Sequence, residues 1–186
     1  MDIFETLIDD HRLITLVLDA FERFIRRAEV SGKVDLAELN RFVVFLHEFA
    51  DLVHHQREED ILFPAIAGLG YAPHGAPLAH IRDERVRERQ LLFELRQVAV
   101  RTSLEASAKK AHVIGVVREL IAFERGHIQK ENELLYPAVK KEFSGKTLGD
   151  LTRSLWKRPD AEFRLVEVAW LRSLADALIR EYPATA

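Results

Sequence analysis

The chain has 186 residues, of which 48% are apolar and 31% charged, and its net charge at pH 7 is −3. This length suits one domain with a sizeable core, and the small charge gives no sign of a nucleic-acid or membrane-surface partner. Cysteine is absent, which excludes disulfides, zinc-thiolate sites, iron–sulfur ligation and thiol catalysis.

The N-terminus and the apolar runs show no signal for export or membrane insertion. Residues 1–5 are acidic and lack the basic start and apolar run of a signal peptide. Apolar runs such as residues 42–46 are too short to span a bilayer. We therefore expect a cytoplasmic protein without a membrane partner.

The first predicted helix covers about residues 3–29. Apolar side chains recur along it at helical spacing, and His11 falls on the same stripe. Ser31 and Gly32 follow, and the helix is expected to end there because glycine readily adopts the left-handed conformation that closes a helix.

A second helix is predicted from Asp35 to about residue 66. Asp35 is a suitable N-cap, and Glu38 stands three residues later, as in a capping box. The glycine-rich residues 68–75 form the clearest loop in the sequence.

Two further helices complete a set of four. Pro77 suits the first turn of a third helix that reaches about residue 102. Ser103 or Ser107 is the candidate cap of a fourth helix that ends near Phe143. No segment has the alternating apolar pattern of a strand, so we predict an all-α four-helix bundle over residues 1–143.

Residues 144–186 are predicted to form a helical C-terminal extension. Thr147 is the candidate cap of a short helix, and Pro159–Asp160 would open a last amphipathic helix. Its apolar face would comprise Val166, Trp170, Leu174 and Ala177. The extension either covers one flank of the bundle or offers exposed aromatic side chains to a homodimer or another partner.

Two segments of the predicted bundle, residues 54–66 and 127–139, are versions of one another. In each, a histidine stands four residues before a glutamate and ten residues before a proline. Because positions i and i+4 share one face of a helix, each segment presents an imidazole beside a carboxylate. Two such pairs that face each other inside a bundle predict a metal site.

The first helix of each predicted hairpin offers one more histidine, His11 or His80. The number of residues from this histidine to the turn nearly equals the number from the turn to the histidine of the repeat. Since a helix rises about 1.5 Å per residue, the chain climbs and returns to the same height. All four histidines are therefore expected at one level of the bundle.

The predicted metal site has six ligands: His11, His54, Glu58, His80, His127 and Glu131. Imidazole and carboxylate ligands without sulfur suit iron or manganese, and zinc less specifically. We expect both glutamates to bridge two metal ions, together with an oxide or hydroxide. His11 and His54 would hold one ion, and His80 and His127 the other, with one coordination position open to a small ligand.

The repeat also decides between two adjacent acids in the first segment. Glu58 and Glu59 correspond to Glu131 and Asn132, so only the first position is acidic in both halves. We therefore expect Glu58 to bind metal and Glu59 to be exposed.

This pattern resembles the hemerythrin-like family, also described as HHE cation-binding domains. The resemblance covers about residues 5–143 and rests on the six residues in their order and on the Leu-Phe-Pro and Leu-Tyr-Pro sequences after the two pairs. It implies an up-down-up-down four-helix bundle with a carboxylate-bridged di-iron centre. It further implies reversible O2 binding, sensing of oxygen, redox state or iron, or protection against NO and oxidative damage.

Two differences separate the chain from the oxygen-carrying members of that family. Their third helix supplies two histidines four residues apart, whereas here Glu84 follows His80 at that spacing and either binds iron or leaves the position to water. Their fourth-helix acid is an aspartate one position later than Glu131. An additional carboxylate stabilises the ferric state, so the chain is expected to act in sensing, iron handling or NO and peroxide chemistry.

Two classes of function are left open by the sequence. A binding or sensing protein would read O2, NO or the redox state of iron at the open coordination position. An enzyme of stress defence would use the same position for peroxide breakdown, NO reduction or ferroxidase chemistry.

Further polar residues lie on or near the predicted ligand face. His47 and Arg87 are expected at one level, where they would share an interior polar network with each other or with Glu84. His55 is rotated by about 100° from the ligand face, so it is predicted to miss the metals and to lie at the surface or at a helix contact. Glu124 either orients an imidazole or has a structural role.

Overall fold

A computed structural model describes residues 1–71, 78–100, 106–155, 157 and 161–184. Within these ranges the chain forms six helices and no strand, which confirms the all-α prediction. The helices are α1 (Ile3–Ser31), α2 (residues 36–68), α3 (Leu78–Val100), α4 (residues 106–140), α5 (Gly145–Ser154) and α6 (Ala161–Glu181).

Helices α1 to α4 form the predicted four-helix bundle. α1 contacts α2 and α4, and α3 also contacts α2 and α4, so the four helices surround one interior. Two apolar clusters fill it: a larger one around Phe21, Phe42 and Leu120, and a smaller one around Phe4 and Tyr136. The candidate site lies where one cluster gives way to the other.

The ends of the first hairpin follow from its capping residues. Gly32 has a φ of 75° and closes α1, as predicted. The Asp35 carboxylate accepts from the backbone N–H groups of Ala37 and Glu38 at 2.9 and 3.1 Å, which confirms it as the N-cap of α2. The Glu38 carboxylate accepts from Arg41 at 2.8 Å. The expected capping box is not completed, because Glu38 pairs with Arg41 and Asp35 alone caps α2.

Helices α2 and α4 depart from α-helical geometry along the two repeats. The segments Leu46–His55, Glu58–Leu62 and Glu131–Leu135 are π-helical. A π-helical turn holds more residues than an α-helical turn, and such turns often occur at functional sites. They also change which side chains share a face. A face that is inferred from a period of 3.6 residues is therefore altered in these segments.

The C-terminal extension covers the flank that α1 and α2 form. Among the side chains described on α6, Leu171, Ala175 and Leu178 are buried, as is Tyr182 directly after the helix. The predicted apolar face was therefore wrong for Val166 and Trp170, which are 72% and 55% exposed, whereas the predicted Leu174 is partly buried and packs against the core. Both sets recur at helical spacing, so the sequence pattern alone does not choose between them. The division of the chain near residue 143 stays a prediction.

The cap of α5 also differs from the prediction. The Ser144 side chain accepts from the backbone N–H of Thr147 at 3.1 Å, so Ser144 is the cap. The predicted cap residues Pro77, Ser103 and Pro159–Asp160 lie outside the described residues. None of the described helices carries the long uncharged apolar stretch that crossing a bilayer requires.

Candidate metal centre

A layer of buried polar side chains crosses the bundle between the two apolar clusters. Five residues of the predicted ligand set lie in it, none more than 2% exposed: His11, His54, Glu58, His127 and Glu131. They come from α1, α2 and α4, so the repeat and the first histidine converge as the sequence predicts. His80 does not join them, because 65% of its side chain is exposed.

The tightest group in this layer is formed by His11, His54 and Glu131. Their ligand atoms all lie within 4.8 Å of one another, and the rings of the two histidines are 4.4 Å apart between centroids. Nε2 of His11 is 3.1 Å from Oε2 of Glu131. Yet neither of these two atoms, nor Nε2 of His54, has a hydrogen-bond partner. Buried polar atoms nearly always have one, so this donor set fits a cation.

The orientation of His11 is set from behind by Asn132. Nδ1 of the imidazole lies 2.8 Å from Oδ1 of the amide. Since a carbonyl oxygen only accepts, Nδ1 carries the proton of the neutral ring and Nε2 keeps its lone pair. That lone pair is on the side of Glu131. Sequence reasoning used Asn132 only as a position without an acid and missed this role.

His54 has an acid behind it in the same way. Oδ2 of the buried Asp10 is 3.8 Å from Nδ1 of His54, and Asp10 accepts from Arg57 at 2.7 Å and from Arg172 at 2.8 Å. Burial alone would raise the pKa of Asp10, but His54 and the two guanidinium groups outweigh it and lower the pKa. A charged Asp10 therefore stands behind the histidine of the candidate ligand group. Its position next to His11 in the sequence was the available signal.

Glu84 performs the corresponding role for His127. Nδ1 of His127 is 2.8 Å from Oε2 of Glu84, and Nε2 is 3.1 Å from Oε1 of Glu131. Glu84 also binds the ammonium group of Lys130. Burial alone would lower the pKa of His127, but Glu131 and Glu84 raise it to about 10. Glu84 therefore lies behind this imidazole, on the side away from Glu131.

The largest departure from the expected two-ion centre is Arg85. Its guanidinium is 1% exposed, binds Glu58 and lies 3.3 Å from Oε1 of Glu131. It also lies over the Phe63 ring, 4.8 Å from the ring centroid, while the Tyr136 hydroxyl donates to Glu58. A fixed positive charge thus stands between the two carboxylates that were expected to bridge two ions. The arrangement fits one cation here.

His80 lies outside the cluster because of the rotation of α3. The buried residues of that helix include Ile81, Arg85 and Glu88, so His80 points outward and its Nε2 is 3.0 Å from Oε1 of Glu84. Counting residues fixes the height of a side chain along a bundle and leaves its direction open. The expectation that His80 faces the other histidines is therefore not met.

The expected interior network of His47 and Arg87 was wrong. Nδ1 of His47 lies 2.8 Å from Oε1 of Glu48, and the His47 side chain is 28% exposed. Arg87 is 45% exposed and pairs with Glu119. The π-helical turns before His54 break the seven-residue spacing that would have put His47 on the ligand face. Glu59, which was expected to be exposed, is half-buried: its side chain is 33% exposed and pairs with Arg85 at 3.1 Å.

His55 and Glu124 are both buried, each 1% exposed. The surface position considered for His55 was wrong, because the wider π-helical turn separates adjacent residues by less than the angle of an α-helix. His54 and His55 therefore both point into the bundle.

Comparison with known proteins identifies the family. The family model of the hemerythrin HHE cation-binding domain matches residues 2–139 of the sequence. The comparison with curated proteins gave no match, and neither did the comparison with solved structures. The matched range contains the four bundle helices and the buried histidine–glutamate cluster. The chain therefore belongs to the hemerythrin HHE cation-binding family.

Proposed function

We propose that this chain binds one iron ion through His11, His54 and Glu131, with Glu58 beside them, and that it binds or senses O2, NO or the redox state of iron there. The observation that carries the proposal is the set of buried donor atoms within 4.8 Å of one another that lack hydrogen-bond partners. Manganese and zinc are substitutes that the same ligand types accept.

The charges of the centre favour one divalent cation. Glu58 and Glu131 carry two negative charges, which Arg85 and a protonated His127 offset in the metal-free chain. A divalent cation at Glu131 would take the place of protons on the imidazoles. Leaving a buried charge uncompensated is unfavourable. A second ion between the carboxylates would require the Arg85 guanidinium to withdraw from a site where it is 1% exposed.

The residues around the proposed centre orient its side chains and separate it from water. An iron ion held there would supply redox chemistry and an open coordination position for O2, NO or peroxide. Asn132 and Glu84 orient the imidazoles of His11 and His127 through contacts of 2.8 Å. The charged Asp10 lies 3.8 Å behind the imidazole of His54. The apolar cluster around Phe4 closes one side of the polar layer against water.

An enzyme of oxidative or nitrosative stress defence is the second candidate. The observation that favours it is a pair of donors beside the ligand carboxylates, the Arg85 guanidinium and the Tyr136 hydroxyl, both bound to Glu58. Such donors would stabilise negative charge as peroxide or NO is reduced. A cytoplasmic location stays a prediction.

The test begins with protein that is loaded with Fe(II) under anaerobic conditions. We expect iron to bind, and H54A to lose the ion of this centre and so contain less iron than wild type, while H80A on the exposed surface keeps the wild-type content. A lasting spectral change on addition of NO or O2 supports binding or sensing, whereas consumption of many equivalents supports the enzyme. Equal iron contents of H54A and wild type would contradict the proposed centre.

A further inference from the structure

A second group of buried ionisable side chains lies next to the proposed iron centre. His55 of α2, Glu88 of α3 and Glu124 of α4 are each 1% exposed, and their ligand atoms all lie within 4.8 Å of one another. Nδ1 of His55 is 3.3 Å from Oε2 of Glu88. Glu88 stands three residues beyond Arg85, and Glu124 three residues before His127, so this group lies about one helical turn deeper in the bundle.

The polar atoms of this group have no partners that account for their burial. Nδ1 of His55, Oε1 of Glu88 and both carboxylate oxygens of Glu124 lack a hydrogen bond. A buried carboxylate without a hydrogen bond or a counter-charge is strongly unfavourable. One ligand atom from each of the three side chains lies within 4.8 Å of the others, and each side chain has at least one polar atom without a hydrogen bond. This arrangement indicates a ligand that binds all three side chains.

The positive charges nearby are already paired with other acids. Arg89 donates to both oxygens of Asp51, at 2.9 and 3.0 Å, and this leaves Oδ1 of Asp51 3.9 Å from Nδ1 of His55. The nearest buried cation, Arg85, is bound to Glu58 of the iron centre. Among the described residues, neither Glu88 nor Glu124 has an ion pair with a lysine or arginine.

We propose that His55, Glu88 and Glu124 hold a second divalent cation, separate from the ion bound by His11, His54 and Glu131. Two carboxylates balance the charge of such an ion, and a neutral imidazole supplies a nitrogen ligand. This donor set suits Mn²⁺, Fe²⁺ or Zn²⁺. Calcium prefers six to eight oxygen ligands, which this group does not supply. The site goes beyond the proposed function, because it uses none of the same ligands.

The competing explanation is a proton shared between the two glutamates. Burial and the nearby Glu124 raise the pKa of Glu88 well above its usual range when no cation is bound. The group would then consist of a neutral carboxylic acid beside a carboxylate and would need no cation. This alternative predicts no metal at the second group, so a metal count separates the two.

The experiment measures Mn²⁺ bound per full-length chain by equilibrium dialysis, with circular dichroism to confirm that each variant is helical. We expect two ions in wild type, one in the isosteric double variant E88Q/E124Q, and one in H54A. The matched control is E119Q, an exposed glutamate on the same helix as Glu124, which should retain two. A count of zero in H54A, or of two in E88Q/E124Q, would overturn the second site.

The same counts separate this inference from the proposed function. If E88Q/E124Q and H54A each lose both ions, the ions form one shared centre, and only the second site is refuted. If H54A keeps two ions while E88Q/E124Q loses one, the second site stands and the first assignment fails.

Discussion

In the proposed centre, Arg85 is the residue that would limit the number of ions to one. We expect R85M to destabilise the metal-free protein by about 3–5 kcal/mol, because the change removes the buried counter-charge of Glu58. R87M is the matched control, since Arg87 forms an exposed pair and its loss should change stability by less than about 1 kcal/mol. Urea unfolding measures both variants, and equal losses would contradict the buried role of Arg85.

Removing the guanidinium should also open a position for metal. In the E88Q/E124Q background, where the second group is disabled, R85M is expected to raise the ion count of the first centre from one to two. Equilibrium dialysis measures the count. A count that stays at one would mean that Arg85 does not occupy the position of a second ion.

Asp51 gives the metal-free protein a defined dependence on pH. Burial alone would raise its pKa, but His55 and the Arg89 guanidinium hold the pKa well below its usual range. A depressed pKa stabilises the fold above the unfolded value of 3.8, and the contribution disappears as the pH falls from there through the folded value. The stability difference between wild type and D51N should therefore be full at pH 7 and shrink below about pH 4. A difference that stays constant down to pH 2.5 would refute this link.

The sequence predicts much of the site at the level of single residues, for a physical reason. The repeated spacing of histidine and glutamate survives the π-helical turns because His54–Glu58 and His127–Glu131 are close neighbours along the chain. Positions inferred from the angle of an α-helical turn do not survive, which is why the face predicted for His47 and the surface position considered for His55 were wrong. Arg85 carries no motif, and its role depends on the rotation of α3, which the sequence leaves open.

At the scale of helices, the capping residues predict where the helices of the first hairpin end and begin. The apolar pattern of the extension, in contrast, does not predict its buried face. Asp35 and Gly32 mark helix ends through local backbone chemistry, so neighbouring sequence is enough. The buried face of α6 depends instead on how that helix meets α1 and α2. The sequence offers two apolar faces on this helix, about one position apart. The buried face is the one that leads to Tyr182, whose ring contacts Phe24 and Phe42.

This packing predicts the effect of shortening a side chain on α6. Leu178 is fully buried against the bundle, so L178A should lower the free energy of unfolding by about 2–5 kcal/mol through lost burial and a cavity. W170A changes a residue of the same helix that is 55% exposed, and should have little effect. Thermal unfolding compares the two. The reverse order would mean that Trp170 lies on the packed face.

The whole molecule combines a polar layer with an exposed apolar face on its extension. Leu165, Val166 and Trp170 of α6 are more than half exposed, and a homodimer through this face stays a prediction. Sedimentation velocity tests it: W170E should shift a wild-type dimer to monomer. A monomeric wild type would refute the dimer and leave the metal sites unaffected.

At this scale the central claim concerns where cations bind inside the bundle. The measurement that tests it most directly is an anomalous difference map from crystals of the Mn²⁺-loaded protein. We predict one peak among His11, His54 and Glu131 and another among His55, Glu88 and Glu124. A closely spaced pair bridged by Glu58 and Glu131, or peaks away from the polar layer, would contradict the account.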